Sequence, residues 1–299
     1  MRIFVTGATG FIGSLVVREL LGAGHQVLGM TRSEAGVQAL VEAGAEPYRG
    51  VLEDVDSLSR GAAQADAVIH TAFDHDFSNF AANCEKDRRA ILAMGQALAG
   101  SDRPLVITSG CGFGIAEPGR LATEDVFNTS NPHPRIASEL AGQEVAAAGV
   151  KTVVVRLPQV HDTRRQGLVT PYVGLTREKG VAAYVGEGRN RWAAAHVSDV
   201  ALLYRLAVEQ GRASERLNAV DEEGVSAREI AEAVGAGLGV PVVSLAPDQA
   251  AAHFGWMNMF AAVDMPASSA WTRERLGWTP KGPGLIADLK AMDYAAFPG

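Results

Sequence analysis

Three glycines, Gly7, Gly10 and Gly13, stand three residues apart between an apolar run (Ile3, Phe4, Val5) and a helical repeat (Leu15, Val16, Leu20, Leu21). The run reads as a buried strand, and the repeat as a helix stopped by Gly22 and Gly24. Val27 and Leu28 begin a second strand, so residues 2–33 form one strand–helix–strand unit. Each glycine answers a separate demand. Gly7 permits a sharp turn, Gly10 lets a ligand's pyrophosphate lie against backbone, and Gly13 lets the helix pack close to the strand. The helix begins near Phe11 and points its unpaired N–H groups and positive dipole end at the same place. Glycine-rich turns are common, but one between a strand and a helix is the context that marks a dinucleotide site.

The stretch Thr6-Gly7-Ala8-Thr9-Gly10-Phe11-Ile12-Gly13 resembles the signature of the extended short-chain dehydrogenase/reductase superfamily, of the NAD-dependent epimerase/dehydratase kind. The resemblance implies a Rossmann fold that holds NAD or NADP. Further motifs of that superfamily follow in order over nearly the whole chain.

Apolar runs alternate with helical repeats through residues 67–73, 105–109 and 152–158, which predicts a doubly wound α/β sheet. Its ligand lies beyond the strands' carboxyl ends, where Gly7, Ala72, Ser109 and Pro158 fall. Residues 1–165 form the predicted nucleotide-binding domain and 166–299 a smaller substrate-binding lobe, with 195–220 returning to the first sheet. In the lobe, residues 167–180 read as a helix carrying Tyr172, 181–186 as a strand and 187–191 as a loop. A helix opens at Ala195, capped by Ser198 and Asp199, and another begins with the capping-box pattern of Ser226 and Glu229. Phe254, Trp256, Met257, Met259 and Phe260 form an apolar stretch that reads as core, with pocket wall as the second reading.

With 27 basic against 34 acidic residues, the chain carries −7 at neutral pH. That balance gives no reason to seek nucleic acid or an anionic membrane. No apolar run reaches the length of a membrane span, and the start has no secretory-signal pattern, so the expected location is cytoplasmic. Cys84 and Cys111 lack metal-ligand spacing, and a disulfide between them is not expected in that compartment. Asp74-His75-Asp76 is no metal site either, because adjacent side chains diverge and no second cluster accompanies them. The expected partner is a small-molecule substrate, and a homodimer is the assembly this reading allows for.

An NAD site of this design places an acid at the end of the second strand, for the ribose 2′-hydroxyl. Here Arg32 and Ser33 stand there. Arg32 suits a 2′-phosphate, so NADP is favoured over NAD, against the alternative of a solvated surface arginine. The resemblance extends the cofactor set to Thr9, Phe11 and Ile12 on the turn. It adds Asp54 and Val55 at the adenine, then Thr71, Ala72 and Phe73, and finally Ser109, Leu157 and Pro158 near the nicotinamide. Asp54 equally suits a helix cap.

The superfamily's acid/base pair is Tyr-x-x-x-Lys, with a serine at the end of the preceding strand. Ser109 matches the serine. Aligning Ser138 with the serine usual before the lysine puts Arg135 at the tyrosine position and Glu139 at the lysine position, and no tyrosine lies between Tyr48 and Tyr172. The proton must then come from elsewhere. His161 would titrate near neutrality. His75 is flanked by carboxylates that would raise its pKa. An ordered water is the third source, and Tyr172 in the lobe is a further candidate. Arg135 could stabilise an oxyanion without exchanging protons. Ser109 would orient the substrate oxygen. The resulting expectation is an NADP-dependent oxidoreductase of the atypical short-chain type, acting on a small carbonyl or alcohol. The alternatives are a non-catalytic NADP-binding redox sensor, and an isomerase or lyase that uses bound nicotinamide transiently.

Overall fold

The computed structural model describes residues 1–297. Strand and helix alternate through β1 (Arg2–Thr6), α1 (Phe11–Gly22), β2 (Gln26–Thr31), α2 (Glu34–Ala43), β3 (Glu46–Arg49), α3 (Val55–Ala63), β4 (Ala67–His70), α4 (Phe80–Leu98), β5 (Leu105–Gly110), α5 (Ile136–Ala147) and β6 (Thr152–Leu157). Then follow β7 (Gln159–His161), α6 (Val169–Lys179), β8 (Ala182–Val185), β9 (Arg191–His196), α7 (Val197–Gln210) and β10 (Arg216–Asn218). The chain ends in β11 (Glu222–Ser226), α8 (Ala227–Leu238), β12 (Val242–Leu245), α9 (Pro247–Phe254), α10 (Asn258–Ala261), α11 (Ala270–Leu276) and α12 (Leu285–Ala291).

Seven parallel strands pair in the order β10-β6-β5-β4-β1-β2-β3. This is the doubly wound Rossmann arrangement, with the reversal of strand order between β1 and β4. Apolar side chains cover both faces. Val16, Leu20, Leu203 and Tyr204 of α1 and α7 bury one face. Leu58, Ile91, Met94 and Val145 of α3, α4 and α5 bury the other. The chain leaves the sheet after β6 and returns through α7 to place β10 beside β6. The excursions build a lobe whose core holds Val173, Trp192, Ile230, Phe254 and Leu285. No helix among the described residues is long and apolar enough to cross a membrane.

Local signals set many of the helix ends. The Ser33 hydroxyl accepts from the Gly36 N–H at the start of α2, and Gly44 ends that helix in the left-handed region. Asp54 accepts from the Ser57 N–H and so caps α3. Ser226 and Glu229 form the capping box expected of α8. Two expectations are corrected. Residues 191–196 are a strand, β9, pairing with β7 and β11, so the following helix starts at Val197. Its cap is His196, whose ring accepts from the Ser198 N–H, while Asp199 accepts from the N–H groups of Lys281 and Gly282.

The switch point depends on close approach. A Cβ on Gly13 would lie 2.0 Å from the Gly7 carbonyl oxygen, so α1 reaches the β1 turn only with glycine there. Gly13→Ala should lower stability by on the order of 3 kcal/mol through forced separation of α1 and β1. The urea midpoint measures this, and an unchanged midpoint would contradict the packing described.

Candidate active site

The two loops flanking the switch point are stitched together. The Thr71 hydroxyl donates to the Thr6 carbonyl at 2.8 Å, and the Ala72 N–H donates to Thr6 Oγ1 at 3.3 Å. Gly7 sits at φ +69°, and a Cβ on it would lie 2.7 Å from the Ala72 nitrogen. Internal packing therefore requires both Gly7 and Gly13. Gly10 differs. It is exposed, and the one atom a Cβ there would crowd is the Gly7 carbonyl oxygen, at 3.1 Å. Gly10 precedes α1 without giving it a side-chain cap, so Phe11, Ile12 and Gly13 open the helix with N–H groups facing an open cradle. That cradle suits a pyrophosphate.

At the end of β2, Thr31 is buried and Arg32 is exposed. The nearest acid in sequence, Glu34, is ion-paired with Arg49. The Ser33 oxygen accepts within the α2 cap and keeps its proton to donate.

Beyond β5 the charged side chains are paired, not free. Glu139 is fully buried and accepts from Ser109 Oγ at 2.9 Å, Arg156 Nη2 at 2.6 Å and Nε at 3.2 Å, and Arg216 Nε at 2.6 Å. Arg156, also fully buried, turns its other edge to the Thr123 carbonyl at 3.0 Å. The Phe127 ring lies under both guanidiniums.

A second chain of bonds runs from the glycine turn. Thr6 Oγ1 meets His70 Nδ1 at 2.6 Å, and His70 Nε2 meets Asp87 at 2.9 Å. Asp87 also accepts from Arg135 at 2.6 Å and Ser138 at 2.5 Å. Burial works against the Asp87 carboxylate, yet Arg135 and His70 outweigh it and hold its pKa below the ordinary value. Arg135 also donates to the Thr108 carbonyl and lies 4.1 Å above the Phe73 ring.

Residues 3–219 match the model of the NAD dependent epimerase/dehydratase family. The chain belongs to that family. A Schizosaccharomyces pombe protein described only as uncharacterised is 44% identical over 295 residues, 98% of this chain and 100% of its own. A Dictyostelium discoideum protein described as a decarboxylating sterol-4-alpha-carboxylate 3-dehydrogenase is 26% identical over 242 residues, 76% of this chain and 73% of its own. The crystal structure of the Thermus thermophilus UDP-glucose 4-epimerase in complex with NAD matches with a TM-score of 0.76 at 21% identity, over 99% of each chain. That likeness speaks for the fold.

Within this family member, the residues expected to act fall in different surroundings. Ser109 is buried at the end of β5, with its hydroxyl proton committed to Glu139. His161 is fully buried in β7, with Nδ1 2.7 Å from Asp288 of α12 and Nε2 without a hydrogen-bond partner among the described residues. Burial pushes its pKa below the ordinary histidine value despite Asp288, against the expected near-neutral titration. His75 is corrected likewise. The residue reaches solvent, yet burial and the charge of Arg135 lower its pKa, outweighing a backbone hydrogen bond at Phe73 and the charge of Asp74, which is paired with Lys86. Tyr172 donates to the Ala183 carbonyl inside the lobe core, and burial raises its pKa to about 12. It lines a cavity of about 20 Å³ with Trp192, Phe254 and Met257, remote in chain from the glycine turn. Cys84 and Cys111 are buried free thiols. Asp76 caps the single turn before α4, and no group of metal-binding side chains is found among the described residues.

Sequence reasoning missed the roles of His70, Asp87, Arg156 and Arg216. One signal was available: Arg156 interrupts an otherwise apolar strand, and a buried arginine needs a carboxylate. Glu139→Ala leaves Arg156 buried without its counter-charge and should cost roughly 3–5 kcal/mol in a denaturant titration. A loss below about 1 kcal/mol, the range of an exposed pair, would show that the cluster is not load-sharing.

Proposed function

We propose that this protein is an NADP-dependent oxidoreductase of the atypical short-chain type, acting on a small carbonyl or alcohol. The observation that carries the reading is the open cradle at Gly10, set on the same sheet edge as an exposed Arg32 at the end of β2. Gly7, Thr9, Gly10, Phe11, Ile12 and Gly13 would hold the pyrophosphate, with Arg32 and Ser33 at the 2′-phosphate. Asp54 and Val55 would border the adenine. Thr71, Ala72, Phe73, Leu157 and Pro158 would border the nicotinamide end. A reduced nicotinamide there supplies the hydride, and the chain orients the carbonyl and manages one proton.

Arg135, held by Asp87 and Thr108, offers a fixed positive charge near the loop after β4. The Ser109 oxygen retains acceptor capacity but must leave Glu139 to donate to a substrate. His75, which reaches solvent, is better placed than the fully buried His161 to pass a proton from solvent. The commitment of Ser109 to Glu139 favours a second reading, an NADP-binding redox sensor without turnover. Following NADPH absorbance across a panel of aldehydes and ketones separates the two, since tight binding without consumption of NADPH on any substrate supports the sensor.

Two outcomes test the cofactor assignment. Gly10→Val puts a branched side chain into the cradle from an exposed position. Cofactor binding by fluorescence titration should be lost while circular dichroism stays unchanged, and a folded variant with full affinity would refute the phosphate placement. In the wild type NADPH should bind more tightly than NADH. Arg32→Ala should remove most of that difference, on the order of tenfold for one charge-assisted phosphate contact. Equal affinities in the wild type would contradict it.

A further inference from the structure

Five rings from five separate stretches of chain, with His75 packed 5.2 Å from the first of them, Phe73, meet beside Arg135. Phe73 follows β4, Phe80 opens α4, Phe113 lies on the turn after β5, His133 precedes α5, and Phe260 comes across from α10 of the lobe. Ring centroids lie 6.0 Å apart for Phe73 and Phe80, and 5.3 Å for Phe80 and His133. His133 is 6.1 Å from Phe113 and 6.5 Å from Phe260. Phe113 is buried, and the other four reach solvent in part. A half-exposed aromatic patch gathered from both parts of the molecule, at the carboxyl ends of β4 and β5, has the character of a ligand wall rather than of a sealed core.

The wall's chemistry is narrow. Its edge-to-face and tilted rings suit a flat π-system. Burial and the nearby Arg135 push the His133 pKa down, so that ring is neutral at neutral pH. The Arg135 guanidinium lies 4.1 Å from the centre of the Phe73 ring, and Asp87 fixes its position. Phenyl rings themselves supply no hydrogen-bond partners, so a substrate with many hydroxyls gains less from this wall than a flat π-system does. We propose that the substrate is a flat aromatic or conjugated carbonyl compound, its ring among Phe73, Phe80, His133 and Phe260 and its carbonyl oxygen accepting from Arg135. The substrate part of this proposal rests on the oxidoreductase reading above; the aromatic site does not.

The experiment has a binding arm and a turnover arm, both on the full chain with saturating NADP⁺ or NADPH. In the first, calorimetry compares naphthylmethanol with its fully saturated counterpart, decahydronaphthylmethanol. The aromatic alcohol should bind about tenfold more tightly, and Phe80→Leu and Phe260→Leu should each remove most of that preference. Equal affinities in the wild type, binding of neither, or a preference that survives both substitutions overturns the aromatic site. In the second arm, NADPH consumption is followed with naphthaldehyde, its saturated counterpart and glyceraldehyde. A higher kcat/KM for naphthaldehyde than for either supports the proposal, and a preference for glyceraldehyde overturns it while leaving the oxidoreductase reading intact. Selective aromatic binding without NADPH consumption from any of the three overturns carbonyl reduction as the use of the site and leaves the aromatic site standing.

Discussion

The approach of α1 to the end of β1 is the contact on which the rest of the molecule depends. The helix comes so near that only glycine fits at position 13, and the turn bends so tightly that Gly7 takes a positive φ against the Ala72 nitrogen. Thr6 then bonds both the loop after β4 and the ring of His70, so the geometry of the turn passes sideways into the neighbouring strand. From His70 it passes to Asp87 and Arg135. One local packing constraint thereby fixes the glycine turn and the guanidinium beside Phe73 together.

The two positions that the resemblance assigns to a proton-handling pair carry Arg135 and Glu139, and both are locked in ion pairs. Glu139 accepts from three side chains in a fully buried setting, where an unpaired carboxylate could not remain charged. Arg156 enters because β6 runs beside β5, placing its side chain in register with Ser109. The cluster ties β5, β6, β10 and α5 together at the carboxyl edge of the sheet, which links the returning strand β10 to the site.

Much of the fold was legible in the sequence because the signals were local. The glycine spacing, the apolar runs of β1, β4, β5 and β6, and the capping box at Ser226 each depend on a few adjacent residues. Strand β9 escaped notice because Ala193, Ala194 and Ala195 lack the branched and aromatic side chains that announce a strand, and its pairing with β7 and β11 is what holds it. The polar networks escaped for a different reason. Arg135 meets Asp87 across 48 residues, and Arg156 meets Glu139 across 17, so no window along the chain contains the reason for either. The carboxylates beside His75 misled the reading because adjacency in sequence says nothing of where charge points. Asp74 turns to Lys86, and Arg135 approaches the ring instead.

These networks also determine what kind of electrostatics the cleft contains. His75, His133 and His161 are all held below the usual histidine range, and Asp87 below the usual carboxylate range. Arg135 is held in place by Asp87 and the Thr108 carbonyl. A cation fixed in this way needs no reorganisation if charge develops on an oxygen bound beside it, and that is the condition under which it contributes most. In the proposed oxidoreductase, the two tasks that the resemblance gives to a tyrosine–lysine pair would be separate: the ion pairs of Arg135 and Glu139 would hold position and charge, and a residue that reaches solvent, such as His75, would exchange the proton.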